Sequence, residues 1–184
     1  EPLAGTAPHA TAWVALEQPG PWGAQAVTGS HLDPGLGRAL AARFDATTAR
    51  LLLIRRPGHH ADLHVPGPRT VWLAVTTPGA ARLHRWEVDD PRELLELDVA
   101  ALAHGELPVG VPDLGPLLLV CTNARRDRCC AIDGRPAVEA AAARRPGRVW
   151  ECSHLGGHRF APTGVLLPHG LVLGRLHGPL ACDA

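Results

Sequence analysis

The sequence predicts an α/β protein with a thioredoxin-like fold, made of two related strand-helix-strand-hairpin halves. Apolar, β-rich runs bounded by Gly and Pro occur in both halves of the chain. In each half an amphipathic helix pattern follows the first such run, and two adjacent runs close the half as a hairpin. The similarity between the halves is one of element order and not of residues.

The first half contains four predicted strands and two predicted helices. Between the first two strands, Asp33 as N-cap and Pro34 at the first helical position predict a helix from Asp33 to Phe44. A second helix is predicted from Asp90 to Ala103, where leucine and valine recur on one stripe. The predicted strands are Trp13–Leu16, Leu51–Ile54, Val71–Val75 and Leu83–Val88.

The second half begins with a predicted strand at Pro116–Cys121. A helix from Arg135 to Arg145 is expected to follow, with Gly134 before it and a Pro-Gly pair as its stop. The remaining predicted strands are Arg148–Cys152, Gly164–Leu167 and Leu171–Leu176, the last two joined by the short loop 168–170. We therefore expect an N-terminal half at 1–105, a connection at 106–115, and a C-terminal half at 116–184 that carries the candidate site.

Composition excludes several classes of protein. The chain has 184 residues, 46% of them hydrophobic, and a formal net charge of zero, which argues against a disordered tail, a coiled coil and a dedicated nucleic-acid binder. Its longest apolar run, Leu114–Cys121, is too short to span a membrane. All 18 basic residues are Arg, and 11 His and 5 Cys remain as nitrogen and sulfur ligands. A core of this size forms without a metal, so any metal is expected to be functional.

Two segments carry the candidate chemistry. The first runs from Cys121, at the end of a predicted buried strand, through an Arg-rich loop to Cys130. The second, Glu151–Pro162, follows another strand and contains His154 and His158. Three residues separate these histidines, and two of them are glycines, which favours a tight loop over a helix. Ligands in open α/β sheets gather at the carboxyl ends of strands, so we expect the two segments to meet.

The four side chains Cys121, Cys130, His154 and His158 would form a site of two thiolates and two imidazoles. Such ligands suit zinc, an iron–sulfur cluster or copper, and exclude magnesium and calcium. The eight residues between the two cysteines fit a larger 2Fe–2S cluster better than structural zinc, whose Cys pairs are closer in sequence. Rieske proteins interleave Cys and His, whereas here both Cys come first. A zinc-stabilised binding module with the same ligands remains the alternative.

The strings CTNARRDRCCAIDGRP and WECSHLGGHRFAPTG resemble the sucraseferredoxin-like family of thioredoxin-like ferredoxins, and the segment 16–23 resembles that family's first half. The resemblance covers nearly the whole chain. It implies a 2Fe–2S cluster with bis-histidinyl, bis-cysteinyl coordination. The family's spacings fall on Cys121, Cys130, His154 and His158, so the family pattern selects Cys130 over the adjacent Cys129.

Other residues near these motifs are candidates for a role around the cluster or in partner docking. Arginines on both motifs either form a positive collar that favours the reduced cluster and steers an acidic partner, or belong to a solvated loop whose charges have no partner. Asp127 is expected to hydrogen-bond loop amides, and Trp22 either shields the cluster or packs in a turn. Cys152 is expected to face the core and Cys182 to be free. The collar arginines are Arg125, Arg126, Arg128 and Arg159.

These observations predict an electron carrier, not an enzyme. It would carry one electron, with a potential coupled to proton release from the imidazoles. A thioredoxin-type oxidoreductase would need Cys-x-x-Cys at a helix start, and the chain has no such motif.

The clustered cysteines and the absence of a signal-peptide pattern predict a cytoplasmic location. The expected partners are an electron donor protein and an electron acceptor protein. The protein is not expected to bind nucleic acid or a membrane, and it is expected to be able to form a homodimer. The histidines at 59, 60 and 64 are expected to face solvent.

Overall fold

The computed structural model describes residues 5, 7, 9–62 and 64–176 and shows a mixed α/β architecture. The strands are β1 Ala12–Glu17, β2 Ala49–Arg55, β3 Arg69–Val75, β4 Arg82–Val88, β5 Val111–Asp113, β6 Leu117–Cys121, β7 Val149–Cys152, β8 Gly164–Leu167 and β9 Leu171–Leu173. The α-helices are α1 Pro34–Asp45, α2 Val99–Ala103 and α3 Arg128–Arg144, and two 3₁₀ helices span Pro91–Leu95 and His158–Phe160. The described ranges contain no helix with the length and apolar character needed to cross a membrane.

The nine strands form one sheet in the order β5-β4-β3-β1-β2-β7-β6-β8-β9. Strand β1 is parallel to β2 and antiparallel to β3, which is antiparallel to β4. Strands β6 to β9 repeat this pattern: β6 is parallel to β7 and antiparallel to β8, which is antiparallel to β9. The two sets meet where β2 pairs with β7 in an antiparallel register, with Ile54 opposite Cys152 and Arg55 opposite Glu151.

Side chains from alternate positions of each strand enter different cores. Val14 and Leu16 of β1 pack in a cluster with α1 and α2, whereas Trp13 and Ala15 point to the opposite face. That opposite face is shared by both strand sets, because Trp13 and Trp150 belong to the same buried cluster. The sheet is therefore a continuous support for the loops that leave β6 and β7.

The first predicted helix is confirmed in α1, where Asp33 accepts a hydrogen bond from the Leu36 N–H at 2.8 Å. The prediction of one helix from Asp90 to Ala103 is wrong, since the segment forms the 3₁₀ helix and then α2. Asp98 caps α2 by accepting from the Ala101 N–H at 2.9 Å, and this second N-cap divides the segment.

The helix predicted at Arg135–Arg145 is present, but its predicted start is wrong, because α3 begins at Arg128. Asp127 is its N-cap, and Pro136, which resembles a helix start in the sequence, lies inside the helix on an exposed position. The final strand is shorter than predicted, because Arg175 adopts a left-handed φ of 55° and its N–H bonds to the Phe160 carbonyl at 2.8 Å.

The predicted connection 106–115 contributes a strand of its own. Strand β5 lies within it and pairs with β4 as the outermost strand of the sheet. Pro112 in the middle of β5 fits this place, because a proline interrupts fewer hydrogen bonds at a sheet edge.

Candidate metal centre

Cys121 lies at the carboxyl end of β6, opposite Cys152 of the parallel strand β7. Its N–H donates to the Thr163 carbonyl at 2.8 Å, and the following N–H, that of Thr122, donates to the Cys152 carbonyl at 3.1 Å. Strands on both sides therefore fix the backbone at this position. The Cys121 side chain is fully buried.

Cys130 lies in the first turn of α3 and not at the end of a loop as the sequence suggested. Asp127 begins the helix by accepting from the Cys129 N–H at 2.9 Å. Cys130 is fully buried, whereas Cys129 is exposed. The helix start thus directs one of the two adjacent cysteines inward, toward Cys121.

Gly134 allows α3 to approach the end of β6. A Cβ at this position would clash with the carbonyl oxygen of Cys121. Any other residue would push the helix that carries Cys130 away from the strand that carries Cys121.

His154 completes a group of three donors. Its Nδ1 lies 3.9 Å from the Cys121 sulfur and 3.8 Å from the Cys130 sulfur, and all three donor atoms lie within 4.8 Å of one another. It follows β7 directly after Ser153, whose N–H donates to the Leu53 carbonyl at 2.8 Å. The structure therefore brings together three of the four predicted ligands.

His158 stands beside this group but outside the set of converging donors. Its ring centroid is 6.0 Å from that of His154, and its Nε2 lies 3.9 Å from the Asp127 carboxylate. The side chain is 57% exposed. The predicted tight loop between the two histidines is confirmed: Gly156 and Gly157 have φ of 95° and 66°, a conformation that favours glycine.

The two buried thiols have different proton affinities. A hydrogen bond from the Cys130 thiol, together with bonds from His154 and the backbone N–H groups of Asn123 and Leu155, lowers the pKa of Cys121 to about 5 despite burial. The hydrogen bond from the Cys130 thiol to Cys121, burial and the negative charge of the Cys121 sulfur raise the pKa of Cys130. The pair thus holds one thiolate readily, and a bound cation would favour loss of the second proton.

This donor set fits a soft or borderline cation. Two sulfurs and an imidazole nitrogen suit zinc, copper or iron in a cluster and do not suit magnesium or calcium. The position of Cys130 near a helix N-terminus favours negative charge on the ligands. The geometry therefore supports a metal-binding role.

The predicted surrounding residues occupy different environments. Arg125, Arg126 and Arg128 are exposed, and Arg159 lies 4.7 Å from the ring of Phe160. Arg126 also lines a cavity of about 340 Å³ together with His154.

Trp22 is a packed turn aromatic, 3% exposed, and its indole N–H donates to the Gln18 carbonyl at 3.0 Å. Cys152 is buried in the core. Cys182 lies outside the described residues.

A buried polar network behind the site was missed in the sequence. Glu151 on β7 pairs with Arg55 at 2.7 Å and accepts from the Thr122 hydroxyl at 2.6 Å. Thr122 directly follows the ligand candidate Cys121. The signal that could have identified this network is a charged residue in or next to an apolar run, since Glu151 stands between Trp150 and Cys152 and Arg55 directly follows Leu51–Ile54.

The prediction that His60 faces solvent is wrong. Its side chain is 17% exposed, and Nε2 lies 3.6 Å from Glu151 Oε1. The same carboxylate thus has an imidazole as a further neighbour. His59 and His64 are exposed, as expected.

A family model described as sucrase/ferredoxin-like matches residues 3–180 of the chain. Searches of curated proteins and of solved structures found no match.

Proposed function

Because the chain belongs to the sucrase/ferredoxin-like family, we propose that it is a ferredoxin-type electron carrier. Its 2Fe–2S cluster would be held by Cys121, Cys130, His154 and His158. The observation that carries the proposal is the convergence of three of these donors within 4.8 Å where two adjacent strands end. His158, whose ring neighbours that of His154, is the fourth ligand in this proposal.

The chain's own residues prepare the site for such a group. Hydrogen bonds at Cys121 favour its thiolate, and burial of both ligand cysteines keeps water from the sulfurs. When bound, the cluster supplies a place for one electron, at a higher potential than with four thiolates, because two neutral imidazoles contribute less negative charge. We also propose that electron transfer is coupled to proton transfer at an imidazole ligand. His158 is exposed, so its imidazole can exchange a proton with solvent.

The architecture that we propose is thioredoxin-like with two halves, at residues 1–105 and 116–184. The equal pairing patterns of β1 to β4 and of β6 to β9 support it. The candidate ligands all lie in the second half, while the first half contributes the Arg55 side of the network behind them.

We place the protein in the cytoplasm, between an electron donor and an electron acceptor. The four cysteines in the described ranges are free thiols, which supports a reducing compartment. Free thiols are also required for cysteine side chains to bind a metal.

Metal analysis tests the proposal. Protein purified without oxygen is expected to contain iron and acid-labile sulfide in equal amounts and to absorb visible light. Cys130→Ser should remove both, whereas Cys129→Ser is the matched control and should retain both, because Cys129 is exposed. A colourless protein without sulfide would contradict the assignment.

A zinc-stabilised binding module is the second candidate. It is favoured by the donor chemistry, because two sulfurs and one imidazole nitrogen converge and zinc binds both donor types. Structural zinc normally has four protein ligands, so His158 would have to be the fourth ligand in this alternative. One zinc per chain, with no iron or sulfide, would identify this alternative.

A further inference from the structure

A cationic surface with an exposed apolar residue lies beside the candidate metal centre. Arg125, Arg126 and Arg128 are exposed, and one turn further along α3 Ile132 is 64% exposed. We call the surface formed by Arg125, Arg126, Arg128, Ile132 and Arg135 the arginine face.

The amphipathic pattern of α3 turns this face outward. Cys130, Ala131, Gly134, Ala137, Val138 and Ala141 are the buried positions of the helix. Arg128, Ile132 and Arg135 recur at helical spacing on the opposite side and are all exposed. Within the described part of the chain, none of the four arginines pairs with a carboxylate. Their charge is therefore available to a partner.

The arginine face adjoins the proposed ligands directly. Asp127, between Arg126 and Arg128, lies 3.9 Å from exposed His158. Arg126 lines the same cavity as His154. An electron that leaves by way of either imidazole would emerge next to this face.

Acidic groups on the same segment only partly offset its charge. Residues 122–135 contain four arginines and two aspartates. Asp127 is engaged as the cap of α3 and lies near His158, and Asp133 is half-buried. In contrast, residues 87–106 contain seven acidic residues and one arginine. The zero net charge of the chain thus conceals a strong separation of charge.

We propose that the arginine face is the docking surface for a redox partner protein with an acidic surface and an apolar contact for Ile132. This proposal rests on the proposed electron-carrier function. In the reaction, one electron passes from the reduced protein to the oxidised partner, and no covalent bond forms or breaks. Ile132 would lie in the apolar core of the interface, from which water is excluded, and the arginines would form its charged rim. Charge complementarity would chiefly raise the rate of encounter.

Two inorganic oxidants test the charge at the electron exit. Dithionite-reduced protein is mixed in stopped flow with anionic ferricyanide or with cationic hexaammineruthenium(III), and the ratio of the two rates is measured. The ratio cancels changes in the protein's own potential. In Arg125→Glu/Arg128→Glu we expect the rate with ferricyanide, divided by the rate with hexaammineruthenium(III), to fall by roughly tenfold at an ionic strength of about 0.1 M. An unchanged ratio would overturn the proposal.

The chain offers a matched control on the same helix. Arg144→Glu/Arg145→Glu changes the same charge at the exposed far end of α3, about 24 Å from Arg128 by helix rise. That distance exceeds the Debye length of about 10 Å at 0.1 M salt. The control should retain the wild-type ratio at this ionic strength, and an equal fall in both variants would also overturn the proposal.

A binding measurement separates this proposal from the electron-carrier function, because it needs no reducible group. The as-purified protein is passed over an immobilised plant-type ferredoxin, which is an acidic redox protein. We expect binding that weakens with salt and is lost in Arg125→Glu/Arg128→Glu and Ile132→Glu, but not in the Arg144/Arg145 control. Failure of both oxidants to react while this binding persists would refute only the electron-carrier function.

Equal binding by all variants would refute the docking surface. A second copy of the chain could also bind the arginine face, because its acidic segment 87–106 has the complementary charge. Analytical ultracentrifugation tests this by measuring the oligomeric state. A dimer that salt and Arg125→Glu/Arg128→Glu both dissociate would assign the face to self-association and overturn the proposal. A monomer in all variants agrees with it.

Discussion

Arg55 and Glu151 form a buried ion pair across the junction of β2 and β7, with Nη2 and Oε2 2.7 Å apart. The same Oε2 accepts from the Thr122 hydroxyl at 2.6 Å, one residue after Cys121. Arg55 also donates to the Gly20 carbonyl at 2.8 Å and lies 4.2 Å from the Trp22 ring. One carboxylate therefore links the sheet junction to the loop that carries a proposed ligand.

Removing the charge of Glu151 should destabilise the fold strongly. In Glu151→Gln the Arg55 guanidinium would remain buried without its partner, and we expect a loss of about 3 kcal/mol in the free energy of unfolding. Urea unfolding measures this. Glu87→Gln breaks the exposed Arg85–Glu87 pair and should change the free energy by less than about 1 kcal/mol. Equal effects of the two substitutions would refute the importance of the buried pair.

The stability of the wild type should fall in acid through Glu151. Burial raises the pKa of this carboxyl, but His60, Thr122 and Arg55 outweigh it and lower the pKa to about 2 from an ordinary 4.5. Because the folded pKa is depressed, the stabilisation is fully present above pH 4.5 and is lost as the pH falls toward about 2. The shift corresponds to about 3 kcal/mol. The difference in unfolding free energy between wild type and Glu151→Gln should therefore shrink over this range, and a constant difference would contradict this pKa.

Gly134→Ala should damage the metal centre more than the fold. The added methyl group would meet the Cys121 carbonyl and displace α3, at a cost of about 1–3 kcal/mol. Gly37→Ala is the matched control, since its Cβ would lie 2.5 Å from the Val27 carbonyl, in α1 and away from the proposed ligands. We expect both variants to be less stable and Gly134→Ala alone to lose metal per folded chain. Equal metal content in the two folded variants would contradict this role of Gly134.

His158→Ala tests the fourth ligand. If His158 binds the cluster, the variant should lose most of its iron and visible absorption, whereas replacing exposed His169 by Ala should leave both unchanged. Circular dichroism in the far ultraviolet checks that each variant is folded. Full iron content in folded His158→Ala would remove His158 from the ligand set.

Local patterns sufficed for much of the fold. Strand β8 lies at the predicted Gly164–Leu167, and β7 starts one residue after the predicted position, because apolar runs between Gly and Pro determine such strands directly. The start of α3 was missed because Pro136 resembles a first helical residue, whereas Asp127 is the actual cap. Both residues are compatible with a helix start, and the capping hydrogen bond from the Cys129 N–H to Asp127 shows which start the chain uses.

The candidate site was predictable only in part. Cys121, Cys130 and His154 follow strand ends or start a helix, so their proximity could be inferred from topology. The network of Arg55 with Glu151 depends on β2 pairing with β7, a contact between residues 96 positions apart in the chain that no local pattern encodes. The place of His60 beside Glu151 depends on the same pairing.

Pulsed EPR of the dithionite-reduced protein, produced with ¹⁵N-labelled histidine, detects histidine ligands of a reduced cluster directly. We expect a rhombic signal from a reduced 2Fe–2S cluster with couplings to two histidine nitrogens, one of which is absent in His158→Ala that still holds some cluster. A fully loaded sample without a reduced signal, or with a signal that lacks histidine nitrogen couplings, would contradict this assignment.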